Sequence, residues 1–189
     1  MKTIEKEIQK CKKCSNLKKL KCNTISYGKN NDILFIGESP AEKGWILTGR
    51  AFYNVNNKLL PTGRNLNELL KIIDLTIDDI TFTEACKCSI PNRKLLKETS
   101  SNCFPFLEKQ IDKLQSKILI PLGEHPTRIL LKDIVFKRFG EVAGNIYTIN
   151  INNRDVIVIP IYHPSPINPK SYKNNLSIFE TIKKECDKL

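Results

Sequence analysis

Four cysteines stand in two pairs, Cys11-x2-Cys14 and Cys88-x14-Cys103. A C-x2-C knuckle offers two thiolates to one centre, and the flanking Lys12 and Lys13 favour the ionised form. If the later pair completes the set, one four-thiolate site ties the amino-terminal segment to the rest of the chain. Such a site suits tetrahedral zinc or an iron–sulfur cluster, and spacing alone does not choose between them. The chain has seven cysteines, an odd number that argues against a disulfide framework. Cys22, Cys86 and Cys186 are left over. Cys86 competes with Cys88 as a ligand.

A second set of polar groups follows three apolar runs. Gly37-Glu38-Ser39-Pro40 comes directly after Ile33–Ile36, Glu84 after Ile80–Thr83, and His163 after Val156–Ile161. Short continuous apolar runs that stop abruptly read as strands buried on both faces of a parallel sheet. In open α/β sheets ligands bind beyond the carboxyl ends of such strands. The three polar positions therefore predict one pocket assembled from three strand ends. A lone histidine is more often a structural hydrogen-bonder than a catalyst, but a Pro-stiffened turn at a strand end favours the catalytic role for His163.

The elements that must position these residues alternate in type. A short amphipathic helix is predicted over 2–10, then strands at 32–36, 80–83, 117–122, 146–150 and 154–161, the last two joined by a turn at Asn152-Asn153. Helices are predicted at 65–73, 101–115, 125–132 and 171–187. Leu66, Leu69, Leu70 and Ile73 recur at helical spacing, with Thr62 or Asn65 as the expected cap. The start of that helix, near Gly63 and Arg64, is a candidate phosphate-binding end. Strands alternating with helices predict a three-layer α/β/α sandwich around a central four-stranded parallel sheet, as one domain over 1–189.

The net charge is +11, from 31 Lys and Arg against 20 Asp and Glu. A basic surface fits a polyanionic partner, because neutralising phosphates releases counterions. Two histidines are too few for an imidazole-rich metal site. No apolar run approaches the roughly 20 residues needed to span a bilayer. The amino terminus MKTIEKEIQKCKKC is too charged for a secretory segment, so a cytoplasmic protein without membrane contact is expected.

Taken in order, GESP after the first strand, GRAF, a strand ending in EACKC, and HPSP after the last strand resemble the uracil-DNA glycosylase superfamily. The closest likeness is to its iron–sulfur-containing branch. No single tetrapeptide carries the resemblance; the joint order of the motifs over nearly the whole chain does. It implies a [4Fe–4S] cluster on Cys11, Cys14, Cys88 and Cys103, in preference to zinc, with a structural role. It implies that Gly37, Glu38 and Ser39 floor the pocket, that Phe52 stacks on a flipped base, and that His163 faces the base carbonyl. Ser165 with its flanking prolines would grip the DNA backbone, and Ile167 would fill the vacated stack.

The implied chemistry is hydrolysis of the N-glycosidic bond of uracil in DNA by a monomer. A donor such as His163 would stabilise the departing anionic base, and a carboxylate such as Glu38 would stabilise the sugar cation and position water. Arg50, Arg64 and Lys170 are candidates to neutralise phosphates. The chain departs from the branch at three places. Glu84 stands where an Asn usually reads the base, and an ionised Glu offers only acceptors to uracil's edge. The usual acidic pair after the first motif is missing, and about ten extra residues occupy Tyr53 to Pro61. Those departures leave two alternatives in view: excision of another deaminated base (hypoxanthine or xanthine), or non-catalytic binding to damaged DNA.

Overall fold

The computed structural model describes residues 1–14, 17–20, 24–168 and 171–189. Its frame is a six-stranded sheet, with β1 Ile25–Ser26, β2 Asn30–Gly37, β3 Ile80–Glu84, β4 Ile118–Pro121, β5 Tyr147–Ile151 and β6 Arg154–Val158, in the order β1-β3-β2-β4-β6-β5. The four central strands run parallel, and β1 and β5 close the two edges in antiparallel fashion. The predicted four-stranded parallel core is therefore present, widened by a two-residue strand on one side and a hairpin strand on the other.

Side-chain alternation along the strands explains the layers. Ile33 and Phe35 of β2 and Ile118 and Ile120 of β4 face one cluster, with Leu66, Leu69 and Leu70 of α2 (Pro61–Leu70) and Ile178, Phe179 and Ile182 of α5 (Lys173–Cys186). Leu34, Ile36 and Leu119 face the other, with Leu107 and Ile111 of α3 (Leu96–Leu114) and Leu130 of α4 (Glu124–Leu130). Both faces of the sheet are thus covered, and the continuous apolar runs need no polar alternation. The amino-terminal helix α1 (Lys2–Lys10) buries Ile8, and its Glu5 carboxylate accepts hydrogen bonds from the Thr24 backbone N–H and hydroxyl at 2.9 and 2.7 Å.

Two helix starts differ from expectation. Helix α2 begins at Pro61, with Leu60 as its N-cap and no side-chain cap, so neither Thr62 nor Asn65 serves. Proline at the first helical position loses no hydrogen bond and presets φ, which outweighs the polar capping signal further on. Gly63 thereby falls inside the first turn against Phe52; a Cβ there would lie 2.9 Å from Phe52 Cβ. Helix α3 starts at Leu96, five residues before the expected 101, after a short turn at Arg93–Leu95 whose Asn92 side chain accepts from Lys94 N–H.

The chain leaves β2 toward β3 on one side and returns to β4 on the other, so the strand order reverses between β2 and β4. That reversal opens a crevice at their carboxyl ends. Phe35 is completely buried in the middle of β2. Replacing it with Ala should lower unfolding stability by about 3–5 kcal/mol, read by chemical denaturation.

Candidate active site

A cavity of about 510 Å3 lies at this reversal. Gly37, Glu38 and Ser39 from the end of β2 line it, with Glu84 from the end of β3 and His163 from the turn after β6. The three predicted strand ends therefore meet in one place. Phe52 lines it too, in a left-handed backbone conformation (φ 66°), with its ring centroid 4.5 Å from that of Phe82. The absence of a side chain at Gly63 is what lets α2 press against Phe52.

His163 is held in one state. The Ser165 backbone N–H donates to its Nδ1 at 3.2 Å, which leaves the proton of a neutral ring on Nε2. Burial pushes the imidazole below its ordinary pKa, and Glu38 opposes that shift only in part. Gly123, after β4, has φ +92° and passes close to the base of this side chain; a Cβ there would lie 3.1 Å from His163 Cβ. Glu38 is fixed by a residue the sequence did not single out. Arg93 donates from both terminal nitrogens to its two carboxylate oxygens, each at 2.9 Å. Such a fork fixes the orientation of a carboxylate.

Glu84 pairs in register with Gly37 and is only 7% exposed. A Cβ on Gly37 would sit 2.1 Å from Glu84 Oε2, so glycine at this position makes room for the carboxyl. Burial, with a smaller contribution from Glu38, pushes the Glu84 pKa up to about 8 against the pull of Lys87. Lys87 is itself buried and pushed down to about 8, and its amine donates to the Glu84 backbone carbonyl and to Thr83 Oγ1 at 2.9 Å. Among the described residues, three buried polar atoms on residues lining this cavity lack a partner: Glu84 Oε2, Trp45 Nε1 and His125 Nε2. Both histidines of the chain therefore line one cavity. His125, like the three predicted positions, comes just after a strand end, two residues past Gly123 beyond β4.

The remaining predicted site residues lie farther out. Arg50 is paired with Asp78 at 2.6 Å, donates to Asn57 Oδ1 at 2.7 Å and stacks 3.6 Å over the Tyr53 ring. Those bonds brace the extra residues between Phe52 and α2. Arg64 is exposed and donates to the Leu59 carbonyl at 2.9 Å. Ser165 lines the cavity, and Ile167 is 90% exposed beyond it. Lys170 and Cys22 lie outside the described residues.

Cys11, Cys14, Cys88 and Cys103 line one small second cavity, together with Lys19 and Asn102. The segment 17–20 brings them together by pairing with 87–89: Leu20 N–H donates to the Lys87 carbonyl at 3.1 Å, and Ser89 N–H to the Lys18 carbonyl at 2.8 Å. Two donors point at sulfur, the Lys87 N–H at Cys103 (3.4 Å) and the Asn102 amide at Cys14 (3.7 Å). Burial pushes the Cys88 thiol up to about 11 and raises Cys103 as well, so these thiols are neutral unless a cation takes them. Among the described residues no group of three or more His, Cys, Asp or Glu is arranged to hold a single metal ion. Four soft donors around one cavity, with N–H groups on two of them, fit a thiolate-held centre such as an iron–sulfur cluster.

A parallel sheet with its cavity at the strand-order reversal, walled by a half-buried histidine and an Arg-braced carboxylate, defines a class. Residues 25–185 match the family described as the Uracil DNA glycosylase superfamily, and the chain belongs to that superfamily. Within it, the chain is 37% identical over 86% of its length to a type-4 uracil-DNA glycosylase of Saccharolobus solfataricus, covering 74% of that protein. It is 30% identical over 98% of its length to the type-4 enzyme of Archaeoglobus fulgidus, covering 92% of it. A type-5 uracil-DNA glycosylase of Pyrobaculum aerophilum is 28% identical over 74% of the chain.

The buried state of Glu84 has a consequence for stability. Its folded pKa lies above the unfolded value, so its contribution is present at low pH and is lost as pH rises toward 8. Glu84→Gln removes that loss. The melting temperature of the variant should exceed wild type by more at pH 8 than at pH 5, equivalent to as much as about 3 kcal/mol.

Proposed function

We propose that the protein removes uracil from DNA by hydrolysing the N-glycosidic bond. The observation that carries this reading is His163, with its Nδ1 accepting the Ser165 N–H, in the same cavity as a carboxylate braced by Arg93. Cleavage leaves negative charge on the base and positive charge on the sugar. His163 Nε2–H stabilises the first by donating to the base oxygen, without giving up a proton. Glu38 stabilises the second and orients the attacking water, whose oxygen bonds to the sugar carbon as the bond to the base breaks. The proton that the water loses ends on the departing base. Phe52 supplies the stacking face for a base rotated out of the helix. The names of the type-4 relatives support uracil as the substrate. The polar groups aligned on the two leaving halves favour catalysis over damage binding alone.

Oligonucleotides carrying uracil, hypoxanthine or xanthine, treated with alkali after incubation, test this directly. Strand breakage at uracil is expected; no breakage at any of the three overturns the reading. His163→Ala should slow single-turnover uracil release by about 10²–10³-fold, and an unchanged rate would remove His163 from the mechanism.

Cys11, Cys14, Cys88 and Cys103 would hold a [4Fe–4S] cluster, which supplies a cross-link between the amino-terminal segment, the loop after β3 and α3. Cys88→Ser should abolish the brown iron–sulfur absorbance and lower the melting temperature, whereas Cys186→Ser should do neither. A colourless wild-type protein containing zinc would contradict the cluster.

A further inference from the structure

We propose that Glu84 binds the flipped base as an un-ionised carboxylic acid, donating from one oxygen to a base carbonyl and accepting the adjacent ring N–H with the other. This deepens the uracil reading and rests on it. The carboxyl lies directly over Gly37 at the cavity floor, in the register position opposite it. Its Oε2 is buried without a hydrogen-bond partner, a place where a negative charge would be stranded. Among the described residues the cation that acts on it is Lys87, whose amine donates to the Glu84 backbone carbonyl and to Thr83 rather than to the carboxyl.

The other titratable groups around Glu84 give no countercharge. From its own segment comes Cys86, a buried thiol held well above its ordinary pKa. From the turn after β2 comes Glu38, whose charge is taken up by Arg93 and which raises Glu84 further. His125 of α4 and His163 of the last turn are both pushed by burial toward their neutral forms. The acid form is thus the resting form at neutral pH, and its adjacent donor and acceptor match a lactam edge, the N–H beside C=O that deamination creates. An ionised Glu84 would face that carbonyl with acceptors only, so base capture fails as the acid ionises.

The test is kcat/KM on uracil-containing DNA from pH 6 to pH 9.5, for wild type and Glu84→Gln. Glutamine keeps one donor and one acceptor but cannot ionise. The ratio of wild type to variant is expected to fall about tenfold between pH 7 and pH 9; a constant ratio overturns the inference. Ionisation of the base N–H itself affects both enzymes and cancels in the ratio. If Glu84→Gln is inactive or unfolded, infrared titration of wild type decides. A protonated-carboxyl band that bleaches near pH 8 and is missing from Glu84→Ala supports the proposal, and its absence at pH 7 overturns it. Failure of wild type to release uracil at pH 7 would instead count against the glycosylase reading, while the infrared result would still report on Glu84.

Discussion

Desolvation at the carboxyl ends of the central strands governs this site. Parallel strands covered on both faces have dry ends, and the polar residues that follow them inherit that environment. His163 is driven toward the neutral ring and Glu84 toward the neutral acid by the same cause. Glu38 is oriented at the cavity edge by Arg93, which reaches across from the loop before α3. The site thereby combines one Arg-paired carboxylate and two neutral donors within a single cavity. Bond heterolysis with opposite charges on the two fragments needs such a division of labour.

The cysteine site acts on the same frame from the outside. Cys88 and Cys103 flank the loop that carries Arg93, and Cys11 and Cys14 are brought in by the pairing of 17–20 with 87–89. Whatever closes the four thiols together also fixes the base of that loop. The cross-link and the orientation of Glu38 are therefore connected through a short run of backbone. Lys87 sits at the junction, with its N–H on Cys103 Sγ and its amine on the Glu84 carbonyl.

Much of this was legible in the residues themselves. The apolar runs ending at Gly37, Glu84 and His163 located the pocket, because a strand buried on both faces leaves a continuous hydrophobic signature and a sharp polar stop. Local rules were weaker where two signals competed: Pro61 set the start of α2 against the polar residues after it. Other features were not legible. The Arg93–Glu38 pair spans two loops, and no periodicity marks it. Trp45 lies in an irregular turn at Glu42–Ile46 whose course depends on packing against Phe82, with ring centroids 5.5 Å apart. His125 is marked in the sequence only by its place two residues past Gly123, after β4, because a lone histidine carries no spacing signal. The state of Glu84 depends on the absence of a partner, which only three-dimensional packing reveals.

The central claim is that burial at the strand ends sets protonation states suited to releasing an anionic base. With two histidines in the chain, nitrogen-15 NMR of the imidazoles addresses it most directly. His163 should be neutral with its proton on Nε2 at pH 7, and should titrate below the ordinary imidazole range. A doubly protonated His163 at pH 7, or a neutral ring carrying its proton on Nδ1, would contradict the account.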